Sequence, residues 1–349
     1  MKQALVRIYR VLINFKNNTL PRYFVASPFM SSLYYILFSS KFRREQHAVL
    51  KGRIEHIRQV RREGKNLYLL IRNTHRIEKG LLMRPRRNVF ALDYIQETVE
   101  TFVNVWQPSK MESDFQHKWF YDVLSEYFST SGDHPLVNEL SDIFSDRVKH
   151  LSVTGEKRKS IPYNRLIKHM PQITYEDFYS LTRYRRSVRW FLDKKVPHDL
   201  VDKAILAANQ SPSACNRQPF EYRIVDEPAL LKKVAGLPGG VRGYEEGIQM
   251  MVVCIGNLDA YFDERDRHVI YIDASLANMS FMFALETLGL SSCAINWPDV
   301  EHLERGMEQA LGLKKHQRPI MCMAVGYPDP DGKVAYSEKR SIEYLRKYN

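Results

Sequence analysis

Cysteine is scarce in this 349-residue sequence, with four residues, Cys215, Cys254, Cys293 and Cys322, all in the second half. None stands in a CxxC pair and no paired histidines lie nearby, which argues against a bound metal and a disulfide-stapled scaffold. The four read as buried free thiols in a reducing compartment. Glycine and proline are modest at 16 each, and 44% of residues are hydrophobic, so collagenous, low-complexity and disordered chains are excluded. Acidic side chains are thin at the start: residues 1–90 hold 4 against 20 basic ones, a net of +16. Residues 1–170 together carry +13 and residues 171–349 carry −1, so a basic half is joined to a neutral one. Residues 1–90 could face a membrane surface, nucleic acid or a phosphorylated ligand, or be a solvated helix surface. Nucleic acid is the weakest of these partners, because charge alone carries no base readout.

Long apolar runs are also rare. Arg7 and Arg10 interrupt the first one and no small-residue cleavage site follows, so the sequence predicts a cytoplasmic protein with no export signal, one that could sit peripherally on a membrane. The stretch Tyr23 to Ser40 has 18 residues without a charge and is followed by Lys41, Arg43 and Arg44. Three readings stand: a bilayer span, an interfacial helix held by its basic flank, or a helix packed on the protein.

Beyond it, Leu50, Ile54, Ile57 and Val60 recur at helical spacing within 43–81, with a break expected at Gly64. Arg72, His75, Arg76 and Lys79 share one face of that segment, either as an anion site or as an ion-pair network through Glu78. Further helices are expected around Phe90 to Val105, Phe115 to Phe128 and Pro135 to His150, with a linker at 155–160. Residues 1–170 thus read as a basic, mostly helical region, and 171–349 as a second unit.

That second unit carries the chemistry. Thr174 and Asp177 have the spacing of a capping box, and the helix it opens leads into RYRRSVRWF. There Arg183, Arg185, Arg186 and Arg189 surround Ser187, a set of guanidinium and hydroxyl donors suited to a phosphate or to plain surface. After an amphipathic helix comes SPSACNRQPFEYRIV, a loop bracketed by Pro212 and Pro219 with a strand over Phe220 to Val225. Ser213, Asn216 and Gln218 offer amide and hydroxyl groups there.

The two segments, in this order, resemble the FMN-dependent nitroreductase family, whose signature pairs an RRSxR-like phosphate segment with an SPSxxNxQP-like loop. The likeness extends through MMVVCIG (250–256), the apolar helix from Ile272 to Leu288, GLSSCAINWPD, PIMCMAVGYPDP and EKRSIEYL, covering about residues 174–349. It implies an α+β fold, a mixed and mainly antiparallel sheet wrapped by helices, here preceded by the helical N-terminal region. By this resemblance Arg185, Ser187 and Arg340 hold the FMN phosphate, Arg186 lies against the cofactor, and Arg189 sits at the pyrimidine edge. Pro212, Ser213, Asn216 and Gln218 come from the other subunit of a homodimer, whose interface buries the 272–288 helix. Ile295, Asn296 and Trp297 run beside the flavin, with the Asn296 N–H toward N5, and Arg242 is a further contact. Trp297 and Pro298 stand where members often have small residues, which implies a flavin face that is either narrower or stacked by an indole.

The activity implied is transfer of hydride from NADH or NADPH through the flavin to a specific small-molecule acceptor, with no catalytic side chain required. The alternative is an inactive member of the fold, acting as a binding or scaffold module at a membrane or with an anionic partner.

Overall fold

The computed structural model describes residues 2–110, 114–149 and 159–349; most of the expected 155–160 linker lies outside them. A helical run opens the chain: α1 (Lys2–Asn14), a π-helical turn (Phe15–Thr19) and α2 (Leu20–Phe24). A turn follows, and α3 (Pro28–Leu37) starts anew. Its cap is Ser27, whose side chain accepts from the Met30 N–H at 3.2 Å. The uncharged stretch Tyr23–Ser40 is therefore not one helix. Ten residues rise about 15 Å, half the ~30 Å hydrocarbon core, which overturns the span reading. Phe29, Ile36 and Leu37 are exposed, while Phe24, Met30, Leu33, Tyr34 and Phe38 are half-buried against one another, so this stretch packs in part on itself. Among the described residues one helical stretch, Glu264–Thr287, is long and apolar enough to cross a membrane, and it packs in the core described below.

The chain then forms α4 (Arg43–Arg58), and the break falls at Gly64, whose φ of 59° is left-handed. Next come α5 (Leu67–Leu81), α6 (Ile95–Val105), α7 (Phe115–Thr130) and α8 (Pro135–Val148). The helix expected from Phe90 starts only at Ile95, because residues 90–94 turn, with Ala91 at φ 66°. These helices close on their own core around Leu70, Ile95, Phe102, Trp106, Phe120 and Tyr127. The basic face of α5 is an ion-pair network, but not through Glu78 alone. Arg72 reaches Glu97 and Arg76 reaches Asp93, each at 3.2 Å, while Glu78 faces His75 at 3.6 Å.

The second half begins with α9 (Tyr175–Tyr184), and the capping box of Thr174 and Asp177 is formed. It continues through α10 (His198–Ala208), β1 (Phe220–Val225), α11 (Pro228–Ala235), β2 (Met250–Asn257), α12 (Val269–Thr287), β3 (Ser291–Asn296), α13 (Glu301–Leu311), β4 (Gln317–Gly326) and the short α14 (Ile342–Leu345). Helix α12 starts three residues before the expected Ile272, at Val269. The sheet order is β1-β2-β4-β3, antiparallel throughout, with one parallel bridge from Ser187 to Ser292 at its edge.

Strand β2 is buried along its whole length because both sheet faces are covered. Its side chains alternate: Met251, Val253 and Ile255 join the core under α11 and α13, while Met250 and Val252 join the one under α10 and α12. Burial pushes the thiols of Cys254 and Cys322 up to about 12, so they are inert packing groups. Cys215 departs from the expectation of a buried thiol, being half-exposed in a loop at φ 54°.

Helix α4 ties the two halves together. A Cβ on Gly52 would lie 2.6 Å from the Leu258 Cβ, so only glycine allows this approach. His56 Nδ1 lies 2.8 Å from the Asp259 carbonyl oxygen, and Arg44 binds Glu301 and Glu308 of α13.

Candidate functional site

After the C-cap of α9 at Arg185 the chain turns extended and runs along the sheet edge. Ser187 bridges to Ser292, the Val188 N–H donates to the Ser292 carbonyl at 3.1 Å, and the Leu192 N–H donates to the Tyr327 carbonyl at 2.9 Å. Val188 and Phe191 pack in the core, while Ser187 is half-buried and Arg189 is exposed. The sequence makes this segment both a sheet extension and a row of cations.

Among the described residues these cations form no direct ion pair, although Glu286, Glu338 and Glu245 lie near enough to feel their charge. Among the described residues, Arg183, Arg185, Arg186, Arg189, Arg242 and Arg340 have no carboxylate within 4.0 Å, whereas Arg44, Arg53, Arg58, Arg72, Arg76 and Arg318 all do. Arg185 Nε is buried without a hydrogen-bond partner, as is Ser292 Oγ on the strand beside it. Buried donors of this kind are costly unless a ligand satisfies them. Arg186 donates to the Ala335 carbonyl at 3.1 Å, and Glu338 is held below the usual carboxylate range, first by the Lys339 N–H and also by the charges of Arg186 and Arg183. The C-terminal segment that carries Arg340 thus returns toward the arginine row.

Arg189 and the Arg242 loop meet through Tyr244. The Arg189 guanidinium lies 5.9 Å from the centre of the Tyr244 ring, whose hydroxyl donates to the Gly240 carbonyl at 3.0 Å. Gly240 sits against Ile295, so Arg189, Arg242 and the end of β3 share one side of the molecule. Asn296, the last residue of β3, is exposed. Trp297 corrects an expectation: its indole is buried in the core and donates to Glu304 at 2.8 Å, so it does not stack at an open face.

The loop with Pro212, Ser213, Asn216 and Gln218 is built separately. Cys215, Asn216 and Gln218 all have positive φ, 54°, 56° and 50°, an unusual density for residues with side chains. Internal bonds hold it there: the Gln218 N–H donates to Ser213 Oγ at 3.1 Å, and Gln218 Nε2 donates to the Asn216 carbonyl at 3.0 Å. Asp273 of α12 accepts from the Ala214 N–H at 3.0 Å. Arg217 is buried with its guanidinium 4.9 Å from the Tyr261 ring, and a cleft of about 480 Å³ lined by Tyr68, Gln116, Arg217 and Gln218 opens beside it. The expected site residues therefore fall into two sets, one at the β3 edge and one bonded to α12. Among the described residues no hydrogen bond joins them within this chain.

Sequence reasoning missed Arg217, Asp273, Tyr244 and Glu286. Asp273 left a signal, as the single charged residue of the apolar run from Val269 to Leu285. Glu286 lies near Arg185, and burial raises its carboxyl to about 6 against the favourable Ser291 hydroxyl at 3.1 Å.

The family model described as the nitroreductase family matches residues 182–238 and 248–327. Iodotyrosine deiodinase 1 of Sus scrofa is 32% identical over 198 residues, 49% of this chain and 68% of that protein. The chain belongs to the nitroreductase family. Another relative, the FMN reductase [NAD(P)H] of Bacillus subtilis, is 26% identical over 184 residues, 48% of this chain and 73% of its own. An FMN-dependent nitroreductase from Clostridium difficile aligns over 49% of this chain and 99% of its own, at 21% identity and a TM-score of 0.42. The nitroreductase match begins within α9, just before the arginine row, and ends just after β4.

Proposed function

We propose that this protein is an FMN-dependent oxidoreductase that takes hydride from NADH or NADPH and delivers reducing equivalents to a specific small-molecule acceptor. The observation that carries the reading is the arginine row around Ser187, unpaired with carboxylates and with Arg185 Nε buried and unsatisfied. A cluster of permanent cations that forms no direct ion pair among the described residues fits a dianionic phosphate better than a solvated surface. The FMN named in the family's relatives carries such a phosphate, so the residues present fit the group.

In this reading Arg185, Arg186, Ser187 and Arg340 hold the phosphate. Bound flavin supplies the hydride acceptor and donor, chemistry that side chains cannot provide. Arg189 fixes a positive charge where negative charge gathers during reduction, an effect enlarged wherever water is excluded. Its lean over the Tyr244 ring restricts the guanidinium, so little reorganisation is needed when charge develops. Arg242 approaches from the same side, and the Asn296 backbone and Ile295 border the flavin ring, with the buried Trp297 bracing the end of β3 from behind.

Pro212, Ser213, Asn216 and Gln218 complete the site from a second copy in a homodimer. This is supported by the separate anchoring of the loop and by the exposed apolar side chains Phe178, Leu206, Ile272 and Leu276 on α9, α10 and α12. Residues 171–349 form the flavin-binding unit and 1–170 an accessory helical one, in a reducing cytoplasmic setting. The acceptor is specific to this chain, because the relatives' names already span a deiodinase and a flavin reductase.

The test is the visible spectrum of the purified protein under anaerobic conditions, with NADH and NADPH added separately. Oxidised-flavin bands that bleach with either nucleotide are expected. A colourless protein that cannot be reconstituted with FMN overturns the proposal and leaves a binding module on this fold.

A further inference from the structure

The first 44 residues contain eight lysines and arginines and no aspartate or glutamate. They also carry apolar side chains that nothing among the described residues covers. On α1 and the turn after it, Leu5, Ile8, Leu12 and Phe15 recur at spacings of three and four and are 62%, 57%, 60% and 49% exposed. Arg7 and Arg10 project from the opposite face of the same helix. At the tip of the bend Val25 and Phe29 are among the most exposed apolar residues, at 73% and 75%.

This unit holds itself together. Phe24 packs on Tyr34 and Phe38, and Ser31 Oγ donates to the Phe24 carbonyl at 3.1 Å, which folds α2 against α3. Among the described residues, the hydrogen bonds and ring contacts of residues 2–42 reach no further than Gln46. Among the described residues, 5–42 contribute nothing to the buried core, which begins at Ala48. Their attachment to the body starts at Arg44, clamped between Glu301 and Glu308.

The geometry points to an in-plane anchor: residues 2–42 lie on an anionic lipid surface, with Leu5, Ile8, Leu12 and Phe15 in the acyl boundary and the cations among the headgroups. Charge selects this occupant. A second copy of the chain would set the six cations of residues 2–42 against six, whereas an anionic leaflet complements them. The four charged residues between Lys2 and Phe24 that interrupt the helical run, Arg7, Arg10, Lys16 and Arg22, suit the interface and oppose a span. The inference does not depend on the flavin reading, and its test has no activity readout.

The test is co-sedimentation of the full chain with vesicles of phosphatidylcholine alone and with vesicles that also contain phosphatidylglycerol, over a range of salt. Binding to the phosphatidylglycerol vesicles that weakens as salt rises is expected. Arg7→Gln with Arg10→Gln lowers the partition coefficient roughly 30-fold, and Ile8→Asp with Leu12→Asp abolishes binding. Both variants keep the parent melting temperature, since neither touches the core. Absence of binding, equal binding to both vesicle types, or variants that bind like the parent overturns the proposal. So does a self-associating parent that binds no vesicles and becomes monomeric with Ile8→Asp and Leu12→Asp, which assigns the face to a second copy.

Discussion

Trp297 Nε1 donates a 2.8 Å hydrogen bond to Glu304 Oε1, seven residues further along the chain. Arg318 donates to the same oxygen at 3.1 Å, while Glu304 Oε2 has no partner among the described residues. Burial pushes the Glu304 carboxyl upward, against the smaller opposing effects of the Arg318 charge and the indole N–H. The indole is thus a structural strut at the end of β3. Trp297→Phe removes one donor from a buried carboxylate and should cost about 1–3 kcal/mol. Denaturant melts should register that loss, while the flavin spectrum of the loaded protein stays unchanged. Flavin loss with unaltered stability would place the indole at the cofactor instead.

The arginine row predicts a different signature. Arg185 makes no ion pair in this chain, so Arg185→Ala should leave the stability of the flavin-free protein within about 0.5 kcal/mol. Its loss should weaken FMN binding roughly 10- to 100-fold, the worth of hydrogen bonds to a charged group. Flavin fluorescence titration measures the affinity, and an unchanged value would remove Arg185 from the phosphate site.

Glu286 sets a pH dependence. Its folded-state carboxyl is raised by burial to about 6 from an ordinary 4.5, so the folded state binds the proton more tightly than the unfolded one. The resulting stability is fully present below pH 4.5 and is lost as pH rises through about 6. The carboxylate is only about half buried, so water screens the effect to about 1 kcal/mol. Thermal melts at pH 4.5 and 7 should show the parent losing that amount relative to Glu286→Gln; parallel curves would contradict the raised value.

Gly52→Ala tests the junction of α4 with the body. The new methyl would lie 2.6 Å from Leu258 Cβ and 2.7 Å from its carbonyl carbon, neither of which is the free end of a flexible side chain. Overpacking of this kind costs about 1–3 kcal/mol, read as a lower denaturation midpoint. Parent-like stability would mean that α4 is not fixed against the 258–260 turn.

Much of the neutral half was legible because its signals are local. The RRSVR and SPSACNRQP segments, the capping box at Thr174 and the strand over Phe220 to Val225 are each written within a few neighbouring residues. The continuous apolar run of β2 reflects burial on both faces of a sheet, a property that every residue of the strand shares. In the basic half the break at Gly64 was legible for the same reason. The Phe90 to Ile95 boundary was not, because the turn there depends on Ala91 taking a positive φ that composition does not announce.

The sequence by itself determined most helices of the basic half, the strand over Phe220 to Val225, the charge asymmetry and the two motifs, because spacing and composition are properties of neighbours along one chain. Only the tertiary structure decided that Trp297 turns inward to Glu304 and that Arg72 pairs with Glu97. It also decided that Arg217 is buried beside Tyr261, and that among the described residues the arginine row forms no direct ion pair while Leu5, Ile8, Leu12 and Phe15 stay exposed. Those outcomes depend on which distant groups compete for each donor and each apolar face, and that competition is settled only when the elements pack.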